Sequence, residues 1–155
     1  MTSDRPRSGN DEPGATELVP GRGKPGRGGG PGGHYWHVYA GGERAGYVFI
    51  NVVDEPLLGR HASIQIFLNA RARGLHIGRQ AYRLACEQSG HGRVYAHMRA
   101  SNVASRKAAQ AAGFCVAERP GVAQLLMVWE RHGAQGEQTG MDRSRASRGG
   151  TGPKA

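Results

Sequence analysis

The sequence predicts an α/β fold: a mixed, mostly antiparallel sheet with two main helices, in the order β-β-β-α-β-α-β-β. Three observations predict it. Between Tyr35 and Leu68, β-branched and aromatic runs are separated by turn residues. After Leu68 the apolar spacing changes from every second residue to every third or fourth, and an Ala-rich run ending at Gly113 follows Arg99. The last two apolar runs flank Arg119-Pro120-Gly121, a turn sequence.

Each element has its own signal. Tyr35 to Ala40 reads as a strand by its β-branched and aromatic content, and Gly41 to Gly46 as a turn. Tyr47 to Val53 is a second strand, so the pair forms a hairpin, which Asp54-Glu55-Pro56 ends. A third strand, Ser63 to Leu68, follows a polar loop. Ile77, Ala81, Leu84 and Ala85 then recur at helical spacing, with Tyr82 beside them and Ser89-Gly90 as a stop. Arg93 to Arg99 alternates like a strand. A short Ala-rich helix from Val103 to Ala112 ends at Gly113, a residue suited to a left-handed cap. Phe114 to Glu118 and Val122 to Glu130 complete the strands.

Composition sets the boundaries. All ten aromatic residues lie between Tyr35 and Trp129. Residues 1–33 are dominated by Gly, Pro and charge, with Leu18 and Val19 the only large aliphatic residues after Met1. Such a segment buries too little apolar surface to offset the entropy of ordering it, so residues 1–33 are expected to be a disordered tail. Residues 132–155, rich in Gly, Ser, Arg and Thr, are expected to be a second, basic one. The folded unit is then 34–131, enough for one modest core.

The net charge is +9, and residues 34–131 hold 12 Lys+Arg against 6 Asp+Glu. A basic domain suits a phosphorylated cofactor, an acidic protein or a nucleic acid. The two cysteines, Cys86 and Cys115, fall in separate elements with no ligand set around them, which points to a reducing compartment and no metal. No apolar run is long enough to span a bilayer, and no apolar leader opens the chain, so no membrane partner and a cytoplasmic location are expected. Gly26 to Gly30 is a single weak nucleic-acid-type repeat, better read as a linker, so nucleic acid is disfavoured.

Chemistry concentrates in two blocks. The first is Arg73-Gly74-Leu75-His76-Ile77-Gly78-Arg79, between a strand and a helix. Gly74 and Gly78 let backbone approach a ligand closely. The helix start presents free amides and a positive dipole end, and Arg73 and Arg79 add charge. A diphosphate suits this combination, although an ordinary loop can have the same composition. The second block is Asn102-x-x-Ser105 leading to Ala112-Gly113-Phe114. Asn102 is a good helix start and Gly113 a good stop, roles that need no ligand.

Together, in this order and spacing, the blocks resemble the two signature blocks of the GNAT family of N-acetyltransferases. The resemblance covers 34–131 and is strongest from 63 to 114. It implies an acyl-CoA N-acyltransferase-like fold that moves an acetyl group from acetyl-CoA to a primary amine of a small molecule or protein. The main-chain amides from Arg73 to Arg79 would hold the coenzyme A diphosphate. Ile66 to Leu68 would lie along the pantetheine arm, with Asn102 and Ser105 as further cofactor contacts. Arg73 takes the family's Arg/Gln place and Gly78 the final Gly/Ala, while His76 stands where the first Gly usually is.

Two family features are missing. The place of the Tyr that protonates the leaving thiolate holds Ala109, and the place of the Glu that deprotonates the amine holds Gln65. Asp54, Glu55, His61 and His97 are the substitutes in reach, with His97 placed first because it follows the cofactor helix. The family's opening strand and its one or two helices, which wall the acceptor site, have only the Gly-rich run Gly21 to Gly33 in their place. Three arrangements stay open: a minimal domain with an open acceptor site, a wall supplied by a partner subunit such as a homodimer mate, or a degenerate, non-catalytic acyl-CoA-binding module.

Overall fold

In the computed structural model the chain is described for residues 15–132, except Leu75, Glu118, Arg119 and Val122. Seven strands form one sheet: β1 (Thr16–Pro20), β2 (His34–Ala40), β3 (Glu43–Glu55), β4 (Gly59–Leu68), β5 (Arg93–Met98), β6 (Cys115–Val116) and β7 (Leu125–Glu130). Their order across the sheet is β1-β2-β3-β4-β5-β7-β6, and β4 with β5 is the parallel pair. That pair needs a crossover, which α1 (Ile77–Ser89) provides, and α2 (Val103–Ala111) links β5 to β6. The mixed sheet with two helices is the one expected, with a further strand in front.

Alternation along the strands sorts the side chains onto two faces. Val38, Val48, Ile50, Ile64, Val94 and Ala96 are buried on one face, in a core shared with Ile77, Ala81, Ala85 and Cys86 of α1 and Ala109 of α2. The opposite face carries a stack of Tyr35, Tyr47, Phe49 and Phe67, with Tyr47 and Phe67 5.0 Å apart. The helix stops follow the sequence. Gly90 sits at φ 80° after α1, and Gly113 at φ 106° after α2.

The expected tail of residues 1–33 is corrected for residues 15–33. Thr16–Pro20 is an edge strand paired antiparallel with β2, Leu18 opposite Val38, and Leu18 is buried. The ladder and one buried side chain supply order that composition hides. Gly21 to Gly33 forms no helix but is folded: Lys24 bridges to Arg27, the Gly28 amide donates to Asn51 Oδ1 (2.6 Å), and Asn51 Nδ2 donates to Gly26 O (2.9 Å). Arg27 lies 5.6 Å from the Tyr47 ring centre. Glycine is needed here for conformation and closeness. Gly28 has φ +82°, and a Cβ there would meet His34 O at 2.2 Å. The expected tails at 1–14 and 133–155 lie outside the described residues.

The hairpin between the second and third strands is also tighter than expected. β3 runs through Asp54 and Glu55, and β4 begins at Gly59, with Glu55 opposite Gly59 and Val53 opposite His61. The region read as a polar loop is therefore mostly strand. β6 and β7 are shorter than the expected 114–118 and 122–130.

Candidate active site

The β4–β5 ladder holds only two pairs, Ala62 with Val94 and Ser63 with Tyr95. Beyond them β4 continues to Leu68 and β5 to Met98. The two strands therefore part, leaving an opening in the middle of the sheet with Ile66 and Leu68, both half-buried, on its β4 side. Separated parallel strands present backbone groups that no neighbouring strand satisfies, and an extended ligand with amide groups can take that place.

The loop that follows is held firmly at its start. The Asn69 amide donates to Ala45 O (2.8 Å), and Asn69 Nδ2 donates to Arg44 O (3.1 Å). A single 3₁₀ turn, Ala70–Ala72, comes next, with Ala72 buried. Arg73 is exposed, and its Nε donates to Leu68 O (3.3 Å). Gly74 has φ +78°. His76 has φ 64° and ψ 15° and is the one non-glycine residue with positive φ among the described residues. At the position where the resemblance calls for Gly, the backbone thus keeps the glycine conformation. The cost for an L residue is about 1–2 kcal/mol. Leu75 lies outside the described residues.

α1 then starts without a side-chain cap and without an acidic residue in its first turn. Its first amides are thus available to an anion. Ile77 is buried, so only its backbone is offered to a ligand, while Arg79 is exposed. Gly78 has a structural part as well. A Cβ there would lie 3.4 Å from Ala108 Cβ and 3.7 Å from Leu68 Cδ1, so its small size brings α1 against α2.

Asn102 and Ser105 are occupied locally. Asn102 Oδ1 accepts the Ser105 amide (3.2 Å), the expected helix cap. Ser105 also hydrogen-bonds the hydroxyl of Tyr82, whose pKa burial pushes up. The Tyr82 ring packs edge-on against Phe114 at 5.5 Å. These contacts join α2 to α1 beside the loop. Ala109 is fully buried in α2, and Gln65 is exposed on β4.

His97 is not alone. Its Nε2 lies 3.3 Å from His61 Nε2 and 3.9 Å from Glu55 Oε2, and His61 Nε2 lies 3.5 Å from the same oxygen. His61 is buried, faces Tyr95 edge-on at 5.2 Å, and has Nδ1 2.9 Å from Gly59 O. Burial lowers the pKa of His97; Glu55 opposes that shift and His61 adds to it. Strand alternation explains the grouping. Glu55, His61 and His97 occupy odd positions on one face, whereas Asp54, opposite Arg60, falls on the other. The sequence names all three among the substitutes in reach and places His97 first, but that they meet depends on a hairpin register that periodicity does not fix.

Comparison with known proteins agrees with this architecture. A sequence model described as the Acetyltransferase (GNAT) family matches residues 10–114. No curated protein matches the chain. Among solved structures, the aminoglycoside acetyltransferase AAC(6')-Ib in complex with coenzyme A and kanamycin superposes with a TM-score of 0.55 at 21% identity, over 65% of this chain and 68% of that one. A GCN5-related N-acetyltransferase from Kribbella flavida gives 0.54 at 21% identity, over 66% and 70%. Mycobacterium smegmatis RimJ in complex with CoA-disulfide gives 0.53 at 21% identity, over 64% and 54%. The parted parallel strands, the loop into α1 and the family match converge: the chain belongs to the GNAT family of acetyltransferases.

Proposed function

We propose that this chain transfers an acetyl group from acetyl-CoA to a primary amine of a small molecule or protein. The observation that carries the reading is the parting of β4 and β5 immediately before the loop that ends in left-handed His76. The residues fit acetyl-CoA. Diphosphate oxygens accept hydrogen bonds from the amides at the start of α1, where no acidic side chain competes, and Arg73 and Arg79 supply charge. The extended pantetheine arm runs in the opening beside Ile66 and Leu68. Coenzyme A supplies the activated thioester, and the protein supplies alignment. With Ala109 and Gln65 at the two acid–base places, the rate rests on holding thioester and amine together, and the amine proton leaves to solvent. His97, on β5 beyond the last ladder pair, stands on the acceptor side.

The relatives that superpose include complexes with coenzyme A and with aminoglycosides, which supports an amine acceptor. Charge separates this chain from a polycationic acceptor of that kind. Residues 15–131 carry 15 Lys+Arg and 7 Asp+Glu, so an amine attached to an anionic group is favoured in encounter. Ala109 and Gln65 favour a second reading, a module that binds acyl-CoA without turnover.

Calorimetric titration of the full chain with coenzyme A tests the binding claim. Gly78 packs against α2, so the informative variant is Arg73→Glu with Arg79→Glu, both exposed. Wild type is expected to bind at a single site and the double variant to lose at least thirtyfold in affinity. Equal affinity in the two proteins rejects this loop as the diphosphate site.

A further inference from the structure

The trio Glu55, His61 and His97 lies outside the loop proposed to hold coenzyme A. Three elements of the sheet contribute one ligand-type atom each, and the three atoms lie within 4.8 Å of one another. The His61 tautomer follows from its partner. Gly59 O can only accept, so His61 Nδ1 carries the proton and Nε2 of the neutral ring is a lone pair. That lone pair faces a carboxylate oxygen at 3.5 Å and a second imidazole nitrogen at 3.3 Å. One proton on His97 Nε2 can satisfy a single one of these acceptors. A cation between them satisfies all three.

We propose that Glu55, His61 and His97 form a binding site for one zinc-class divalent cation. The distances fit such an ion. A point equidistant from three atoms separated by 3.3, 3.5 and 3.9 Å lies about 2.1 Å from each, the length of zinc–imidazole and zinc–carboxylate bonds. Two imidazoles and a carboxylate select a transition metal over magnesium or calcium, which favour all-oxygen sets. The bond from His61 Nδ1 to Gly59 O is the outer-sphere contact that orients a ligating histidine. Of the trio, His61 also lines an open cleft of about 680 Å³, and the Glu55 side chain is 36% exposed, so an ion reaches the carboxylate from solvent. Three protein ligands leave at least one coordination position for water or for a donor atom of an acceptor. Glu55 lies on β3, His61 just before the β4–β5 ladder and His97 just beyond it, so with acetyl-CoA in the opening the ion would sit on the acceptor side.

The test uses the full chain, free of any polyhistidine tag and stripped with a chelator, titrated calorimetrically with Zn²⁺ and followed by visible absorption with Co²⁺ as a spectroscopic probe. One saturable equivalent is expected, with visible Co²⁺ bands of four- or five-coordinate intensity. His97→Ala and Glu55→Gln should each weaken binding at least tenfold while circular dichroism stays unchanged, and His91→Ala, a histidine outside the trio, should bind as wild type does. His61→Ala risks the fold because His61 is buried, so the two other variants carry the decision. Absence of saturable binding in wild type overturns the proposal, as does binding that both His97→Ala and Glu55→Gln leave intact. Coenzyme A titration of the same variants keeps this question apart from the acetyl-transfer reading, because neither residue touches the diphosphate loop.

Discussion

At the scale of single residues, His76 is the most informative departure. It holds a left-handed conformation that glycine adopts without penalty, so His76→Gly is expected to raise stability by about 1 kcal/mol. Thermal unfolding checks this, and an unchanged or lower midpoint would show that the imidazole makes a compensating contact. Asn102 gives the opposite sign. Its side chain caps α2, so Asn102→Ala should cost about 1 kcal/mol in the same measurement. Both positions were legible in the sequence: Asn102 as a helix start, His76 as a non-glycine residue where the resemblance places glycine. The company of His97 was not. Glu55 and His61 join it through strand pairing, and side-chain spacing along one strand carries no information about which residue lies opposite on the next.

At the scale of elements, periodicity located α1, which has a clear apolar stripe, and alanine content with a glycine stop located α2. β1 was hidden for a physical reason. Five residues containing one buried leucine and ending in proline, set among glycines, carry no strand signal of their own; the ladder with β2 makes them a strand. Removal of residues 1–14 should therefore leave the thermal midpoint within a degree or two, while removal of residues 1–20 should lower it markedly, by exposing the edge of β2 and the surface under Leu18. Equal midpoints for the two truncations would contradict the role given to β1. The end of α1 offers a second test. Arg131 NH2 donates to Cys86 O (2.9 Å) and His91 O (3.0 Å), and its guanidinium lies 5.1 Å from the Trp129 ring centre. It holds orphan carbonyls at the negative end of the helix, so Arg131→Ala should cost about 1.5–3 kcal/mol, against little or no loss for the exposed Arg83→Ala.

At the scale of the whole molecule, histidine burial sets a pH dependence. His34 and His37 both have pKa values lowered from 6.5, chiefly by burial, with His91 adding to the first and Arg44 to the second. His37 Nδ1 is buried without a hydrogen-bond partner among the described residues. A group whose pKa is depressed on folding binds protons more tightly when unfolded. Its contribution is therefore fully present above the unfolded value of 6.5 and is lost as pH falls below it. Urea midpoints should drop between pH 7 and 5, and His34→Gln should flatten that slope. The order of elements from β2 onward and the family were readable from the sequence, since both rest on local patterns. The folded glycine loop before β2 was not, because its order comes from contacts with Asn51 and Tyr47. Acetyl transfer to an amine is tested by release of free thiol from saturating acetyl-CoA in the presence of a panel of peptide N-termini, lysine peptides and small amines, with anionic and polycationic members. Release above hydrolysis is expected for at least one acceptor, strongest among those bearing negative charge. A protein that binds coenzyme A yet releases no thiol with any member of the panel would contradict it and establish the non-catalytic reading instead.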